Sequence, residues 1–485
     1  MGIPTRDPSP YDDAPSYEEL SEIVAALRLV TEQQATHIAE LEAKLADFEI
    51  RLGRTPRNSS MPPSAEGFSK PPSRAQRRAA AKRKPGKQPG TEGKHLAQVA
   101  EPDEVVTHVP ASCERCGAGL GGAPIVDTEH RQVFDLPDIA LMVSEHVAEK
   151  RRCVCGCETK ALFPRAASAP AVYGPGVRAL AAYLAVHQHL PLERTAQLFK
   201  DVLGQEVSVG AISKMISEAA DGTTEFTEHV RVLLRGADTV HFDETGARVN
   251  GRLAWVHGAS NAALTLLDCH GRRGALAMED LGVIAHMSGI AVHDGWRPYR
   301  RFEVTHALCN AHHLRELEGV GVVWDQGWAN DLADLLIEAK VAVEEAIEGG
   351  ATTLDATTLH SIRVRYGTLI AKGFAANPAP TVGKRCGYNK KAYNLLVRLD
   401  TQRADVLRFC CDFRAPFTNN QAERDIRLVK LQQKISGSWR TTTGARDFCA
   451  IRSYISTLKK NHRDVLGGLR LLFDGQVWLP GVVQT

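Results

Sequence analysis

Three acidic residues stand in contexts suited to metal chemistry: Asp243 in ADTVHFDETGARV, Asp294 in GIAVHDGW and Glu423 in TNNQAERDIRLVKLQQKI. The first stretch alternates like a half-buried strand and leads into RLAWVHGAS and NAALTLLDCH through Gly258–Asn261, which predicts a three-stranded meander. A fourth short strand, GIAVHDGW, follows the helical stretch ALAMEDLGVIAHM. Asp243 falls near the end of the first strand and Asp294 at the end of the fourth. In a sheet of order 3-2-1-4 those strands are neighbours, and the two carboxylates lie side by side. Two-metal phosphoryl transfer needs such a cluster of hard oxygen ligands. One ion activates the attacking water or 3′-hydroxyl and the other stabilises the leaving oxygen, with the ions about 3.5–4 Å apart. Glu423 is the expected third ligand, so the expected cofactor is a pair of Mg²⁺ (or Mn²⁺) ions held by Asp243, Asp294 and Glu423.

The elements that position these acids carry further signals. Thr418 or Asn419 can cap the helix that bears Glu423. At helical spacing Glu423, Arg427, Lys430 and Lys434 share one face, a metal ligand followed by three cations suited to a DNA backbone. Arg427 and Lys430 can also neutralise phosphates beside a scissile bond. Beyond them Trp439 and Arg440 lie in SGSWRT, where the indole can stack on a base or serve the core. HALCNAHHLREL is a rival metal site: His306, Cys309, His312, His313 and Glu316 include helical spacings, yet zinc needs converging ligands, and packing with DNA contact is the favoured reading. His241 and His293, each close to an acid, are read as supporting groups rather than ligands. Taken singly, an Asp on a strand is usually a turn or edge residue, and Glu423–Arg427 is an ordinary ion pair. The flanking sequences decide.

Charge is unevenly spread. The net charge is +2, but residues 53–95 hold 11 Lys/Arg against two Glu and residues 414–463 hold 11 against three acids. Two basic tracts on an otherwise acidic chain suit a nucleic-acid binder with separate contact regions. No run of 18 apolar residues occurs, and the N-terminal residues lack the basic-then-apolar layout of a signal peptide, so no membrane partner is expected. The 11 cysteines then read as reduced thiols or metal ligands.

Residues 16–53 form a heptad pattern. Leu20, Leu27, Gln34, Leu41 and Phe48 make one series and Val24, Thr31, Ile38, Leu45 and Leu52 the other, with eight of the ten apolar. This predicts a parallel coiled-coil homodimer. Residues 54–95 have almost no large apolar residues and read as a flexible basic tether, whose Arg77, Arg78, Lys82, Arg83 and Lys84 can follow phosphates without reading sequence. Cys113 and Cys116, followed by Gly117, form a zinc knuckle, and CVCGC 37 residues on offers Cys153, Cys155 and Cys157. Four thiolates satisfy one structural Zn²⁺. Cys153 and Cys155 are favoured because Cys155-Gly156 repeats Cys116-Gly117, with Cys157 as the alternative. The intervening IVDTEHRQVFDLP and IALMVSEHVAEKRR look like strands. Residues 170–220 give three short helices broken at Pro191 and Gly204, a layout that fits a helix-turn-helix-like DNA reader or a helical spacer.

The chain resembles bacterial insertion-sequence transposases of the IS-sixty-six type. The resemblance lies in RNSSMPPS, GKQPG, the cysteine knuckles, HFDETGARV, VHDGWRPY, HALCNAHHLREL and the long stretch FTNNQAERDIRLVKLQQKISGSWRTTTGARDFCAIRSYISTLKKN, and runs from about residue 16 to 480. It departs from that pattern in the extra cysteine of CVCGC and in Thr91 of GKQPGTEG. The resemblance implies a DDE triad on Asp243, Asp294 and Glu423 in a ribonuclease-H-like core, with HALCNAHHLREL as the helix after the second Asp. The 128 residues between Asp294 and Glu423 imply a helical insertion.

The expected fold is multidomain α+β. It comprises a disordered tail (1–15), a coiled coil (16–53), a basic linker (54–98), a zinc-binding domain (99–165) and a helical DNA-binding domain (166–225). An α/β catalytic core follows in two parts (226–320 and 410–463) around a helical insertion (321–409), with a C-terminal tail (464–485). The expected activity is divalent-metal-dependent hydrolysis and strand transfer at transposon ends into target DNA, by a cytoplasmic, nucleoid-associated homodimer that works with accessory proteins of its element. A non-cutting DNA-binding regulator and a structure-selective nuclease are the alternatives. The first predicts no Mg²⁺-dependent nicking; the second predicts cleavage of branched DNA without joining.

Overall fold

The computed structural model describes residues 24, 27–34, 37, 96–137, 139–164, 167–379 and 387–482. Of the heptad pattern, the described positions from Val24 to His37 are helical, with Val24, Leu27 and Val30 exposed. The other heptad positions and the basic tether with Arg77, Arg78, Lys82, Arg83 and Lys84 lie outside the described residues. The chain divides into two compact units, one drawing its described residues from 1–67, 146–197 and 207–485, the other from 68–145 and 198–206.

In the smaller unit Cys113 and Cys116 lie in a tight turn, closed by Gly117 N–H donating to Cys113 O at 2.9 Å. The strand-like residues after it form no strand among the described positions up to Glu149; β1 (Lys150–Arg152) and β2 (Glu158–Lys160), which flank Cys153–Cys157 in sequence, belong to the larger unit. The alternating apolar residues Val126, Val133, Met142 and Val143 stay almost fully exposed. Alternation makes a strand only where a neighbouring edge accepts it. Side chains bind residues 98–99 to 130–132 instead: Gln98 Nε2 donates to His130 O, and Gln132 exchanges two bonds with the Val99 backbone, each at 2.8 Å.

The larger unit is built on a five-stranded sheet of β3 (Thr239–Val249), β4 (Arg252–Ser260), β5 (Thr265–His270), β6 (Ile290–His293) and β7 (Thr305–Leu308), in the order β5-β4-β3-β6-β7. The first three strands are antiparallel, whereas β6 and β7 run parallel to β3. Asn250 and Gly251, at φ 47° and 72°, make the two-residue turn between β3 and β4. The next turn lies at Asn261–Leu264 rather than at Gly258, because the Asn261 carboxamide accepts from the Ala263 and Leu264 N–H groups at 3.0 and 2.8 Å. The fifth strand, β7, was read as part of a helix. HALC pairs with β6, and α6 (Asn310–Trp324, numbered in the series below) starts only after Cys309.

Helices α1 (Pro175–Ala182), α2 (Leu192–Leu203), α3 (Val209–Gly222) and α4 (Thr224–Arg235) precede the sheet, and α5 (Ala275–Leu281) links β5 to β6. The breaks at Pro191 and Gly204 fall where expected; α4 was not foreseen. Ala179, Ala182, Ala219, Phe226, Val230 and Leu234 of this group join the same hydrophobic cluster as the sheet. Small residues on α1 and α3 let their backbones pack closely, so the segment expected as a separate reader shares the sheet core. α6, α7 (Gly327–Glu348), α8 (Ala356–Ala376) and α9 (Gly387–Thr401) follow β7 and enclose a second cluster around Leu332, Leu336, Tyr366, Leu396 and Leu399. Each large side chain buried there contributes about 1.5–3 kcal/mol.

α10 (Asn420–Ser436) then returns to pack on β3 and β4, α11 (Thr442–Lys460) lies along β5, and α12 (Val465–Phe473) closes on α1. From Ile451 to Leu458 every residue of α11 is buried. Its polar members have work to do: Ser453 Oγ accepts from Leu267 N–H at 2.8 Å and Thr457 Oγ1 from Thr265 N–H at 3.1 Å. The helix thereby covers the outer edge of β5, which would otherwise expose unpaired donors. No helix among the described residues is long and apolar enough to cross a membrane.

Gly289 brings β6 into place. A Cβ there would stand 2.1 Å from Ala237 O and 2.6 Å from Asp238 O, backbone atoms that cannot swing aside. Gly289→Ala is expected to destabilise the sheet by roughly 3 kcal/mol or more, read as a lower unfolding midpoint in urea; an unchanged midpoint contradicts this packing.

Candidate active site

The β3–β6 pairing sets the site. Thr239 faces Ile290 and His241 faces Val292 in parallel register. Carried two residues further, that register brings Asp243 level with Asp294. Asp243 Oδ1 accepts from Glu244 N–H at 2.9 Å and Asp294 Oδ1 from Trp296 N–H at 2.8 Å, which orients both carboxylates. Asp294 directly follows β6, whereas Asp243, expected near a strand end, is the fifth of the 11 residues of β3, because β3 runs on to pair with all of β4. The turn after Asp294 needs Gly295, whose φ is 85°. Beneath it His293 stacks on Tyr299, with ring centroids 4.3 Å apart. His293 Nδ1 accepts from Gly295 N–H, so its Nε2–H donates to His306 Nδ1 at 2.9 Å, and His306 Nε2–H donates to Phe302 O. Burial holds both imidazoles below their ordinary range, so this chain is neutral and serves the turn.

Glu423 arrives on α10. Asn419, expected as a cap, makes no side-chain cap bond. Its Nδ2 donates to Phe242 O at 2.7 Å, its Oδ1 accepts from His241 Nδ1 at 2.9 Å, and its own N–H donates to Cys309 Sγ at 3.1 Å. The start of α10 is thus fixed to β3 one residue from Asp243 and to the residue that begins α6. Glu423, one turn on, has Oε1 3.8 Å from both His312 Nδ1 and Arg315 Nη2. Burial pushes the Asp243 carboxyl well above its usual range, and the neighbouring carboxylates of Glu244, Asp294 and, more weakly, Glu423 add to the rise. The three predicted acids therefore share one electrostatic neighbourhood.

Sequence reading missed Glu244. Along β3 the buried positions alternate through Val240 and Phe242 to Glu244, so a charge stands where the pattern calls for an apolar residue. That break in alternation was the available signal. Its side chain is 1% exposed. Oε1 accepts from Arg273 Nε at 3.0 Å and Nη2 at 2.6 Å, and Oε2 accepts from Tyr299 OH at 2.8 Å. Arg273 in turn lies 4.0 Å over the Trp296 ring and 4.7 Å over Trp255. Burial, then Asp294, raises Glu244 to about 7 against the pull of Arg273.

Residues expected at DNA are divided. Arg427, Lys434 and Arg440 are exposed. Lys430 instead donates its ammonium to Gly246 O on β3. Trp439 is part of the structure: it exchanges backbone bonds with Arg248 and Asn250 at 3.1 and 2.8 Å and packs on Phe448, with ring centroids 5.3 Å apart. Cys113 and Cys153 both have thiols lowered from the usual value, the first chiefly by hydrogen bonds from the Cys116 and Arg115 backbone, the second from the backbone and thiol of Cys155. Cys153 N–H also donates to Cys157 O at 2.8 Å, so Cys155 and Cys157 both lie in the turn with Cys153. His241 serves Asn419, as noted. Among the described residues, the one group of three metal-capable donors lying within 4.8 Å of one another is Cys309, His312 and Glu423.

A model of the Transposase IS66 family matches residues 170–447, which takes in every element that carries the three acids. That is more than half of the 485 residues, and the chain belongs to this family of DNA-processing enzymes. Residues 7–97 match a family of unknown function (DUF6444). No curated protein matches the chain.

Glu244 gives the site a pH dependence. Its folded pKa is raised from 4.5 to about 7. The neutral form is therefore the one the fold favours, and its stabilisation is full below pH 4.5 and lost as pH rises through 7. The shift corresponds to on the order of 3 kcal/mol. Metal-free Glu244→Gln protein is expected to lose much less stability than the parent between pH 5 and 8; parallel melting-temperature curves contradict this.

Proposed function

We propose that this chain is a DDE-type transposase that binds insertion-sequence ends, hydrolyses a phosphodiester there and joins the freed 3′-hydroxyl to target DNA. The observation that supports the reading is the parallel β3–β6 register, which brings Asp243 level with Asp294, together with the effect of the Glu423 charge on the half-buried Asp243 carboxyl. Strand order β5-β4-β3-β6-β7 with a helical insertion before α10 supports a ribonuclease-H-like core.

The donor set fits divalent cations. Each of Asp243 and Asp294 has one oxygen held by a backbone N–H, and Glu423 Oε1 is buried without a hydrogen-bond partner. Asp243, Asp294 and Glu423 would hold two Mg²⁺ or Mn²⁺ ions, which supply an activated water or 3′-hydroxyl and a stabilised leaving oxygen. The protein's own groups do the placing. Asn419 fixes Glu423 relative to Asp243, the His293–His306–Tyr299 stack fixes the Asp294 turn, and Arg273 with Tyr299 keeps Glu244 occupied. Exposed Arg427, Lys434 and Arg440 meet DNA phosphates, a contact that weakens with salt. No Ser or Tyr nucleophile is required.

On the spacing of the sequence alone, the thiolates of Cys113, Cys116, Cys153 and Cys155, with Cys157 as the alternative, are the ligand set for one structural Zn²⁺. The heptad residues join a homodimer, and the basic tether holds DNA. Such a protein works in the cytoplasm on nucleoid DNA, with accessory proteins of the same element.

Asp243→Asn, Asp294→Asn and Glu423→Gln are each expected to cut Mg²⁺-dependent nicking and joining of labelled element ends by roughly 10³-fold or more, with end binding retained. A folded variant that still joins ends to a target plasmid refutes the triad.

A further inference from the structure

Cys309, His312 and Glu423 differ from the rest of the site in donor chemistry. A thiol sulfur, an imidazole nitrogen and a carboxylate oxygen lie within 4.8 Å of one another, two from the turn that begins α6 and one from α10. The Asn419 N–H···Sγ bond at 3.1 Å ties the two helix starts together, so the grouping is built into the backbone. His312 Nδ1 and Glu423 Oε1 are both buried, 3.8 Å apart, and neither has a hydrogen-bond partner. Buried polar atoms are nearly always partnered, so two such atoms facing each other beside a thiol point to a ligand. Arg315 Nη2 lies 3.8 Å from the same carboxylate oxygen, and Arg398 also acts on the His312 ring.

We propose that Cys309, His312 and Glu423 form a binding site for a thiophilic divalent ion, zinc, that shares Glu423 with the magnesium centre and withdraws it from that centre. One thiolate, one imidazole and one carboxylate make a three-ligand tetrahedral set with a fourth position for water, at about 2.3 Å for sulfur and 2.0–2.2 Å for nitrogen and oxygen. Ligands at those lengths stand roughly 3.3–3.6 Å apart, so the trio needs to close by about an ångström. On binding, zinc takes the sulfur lone pair and the thiol proton leaves to solvent. Magnesium does not compete for this set, because it demands oxygen ligands in octahedral geometry. With Oε1 on zinc, Glu423 has only Oε2 left for the magnesium centre and is drawn toward Cys309 and His312, so zinc weakens that centre and suppresses cutting. That consequence rests on the proposed function; the binding does not.

The test uses the full chain stripped of metal and dialysed against zinc, with bound zinc counted per chain by atomic emission. Cys309→Ser and His312→Gln are each expected to bind one zinc fewer than the parent, and an equal count in a folded variant overturns the site. His312→Gln leaves the Asn419–Cys309 bond in place and carries the test if Cys309→Ser does not fold. In the parent, zinc is expected to suppress Mg²⁺-dependent nicking, and His312→Gln to raise the zinc needed relative to its own zinc-free rate by about tenfold or more; inhibition unaffected by the substitution overturns the sharing of Glu423. Asp243→Asn lies outside the trio and keeps the parental zinc count, so its loss of nicking bears on the proposed function alone.

Discussion

Asn419 joins the two halves of the site. Residues 410–463 and 226–320 meet at its carboxamide, which donates to Phe242 O and accepts from His241, while its backbone N–H reaches Cys309. It is 1% exposed, 177 residues from the carbonyl it grips. A helix packed on a sheet by apolar contacts alone can slide or rotate at modest cost, since dispersion contacts are many and individually weak. Three hydrogen bonds from one buried residue remove that freedom. Breaking them would strand Phe242 O and His241 in a dry interface, at about 1–3 kcal/mol for each group. The position of Glu423, one turn along the same helix, follows from this attachment.

The second constraint is charge. Four carboxylates approach one another in a half-buried space, and the fold accommodates them unequally. Glu244 is bound to Arg273 and Tyr299 and is held near neutral pH, whereas Asp243 is left with a single backbone donor and the strongest penalty on its charge. His241, His293 and His306 are kept neutral by burial and used as hydrogen-bond links. A divalent cation at this point would relieve the penalty on the Asp243 charge.

Much of this was legible in the sequence. The strands bearing Asp243 and Asp294 show period-2 alternation and the helix bearing Glu423 shows a continuous stripe, so the elements and their acids could be read locally. What could not be read depends on partners far along the chain. β7 is four residues, Thr305 and the first three of HALCNAHHLREL, too short for periodicity to separate from the helix that follows. Asn419 has the residue type of a cap, and only the adjacent strand diverts its side chain. Lys430 lies on the expected stripe, yet the carbonyl of Gly246 takes its charge. The alternating residues between the cysteines looked like strands because alternation reports a half-buried surface, and no edge is there to pair with them. Convergence of Cys309 and His312 on Glu423 was invisible for the same reason: two of the three lie in a motif read as a helix, and the third is 111 residues beyond His312.

Metal-dependent cutting requires the side chains of Asp243, Asp294 and Glu423 to face one cation site. Crystals of the full chain soaked in Mn²⁺, with diffraction recorded for manganese anomalous signal, measure this directly. Anomalous peaks bounded by those three carboxylates are the result expected. Manganese bound elsewhere, with Glu423 turned away from Asp243 and Asp294, would contradict it.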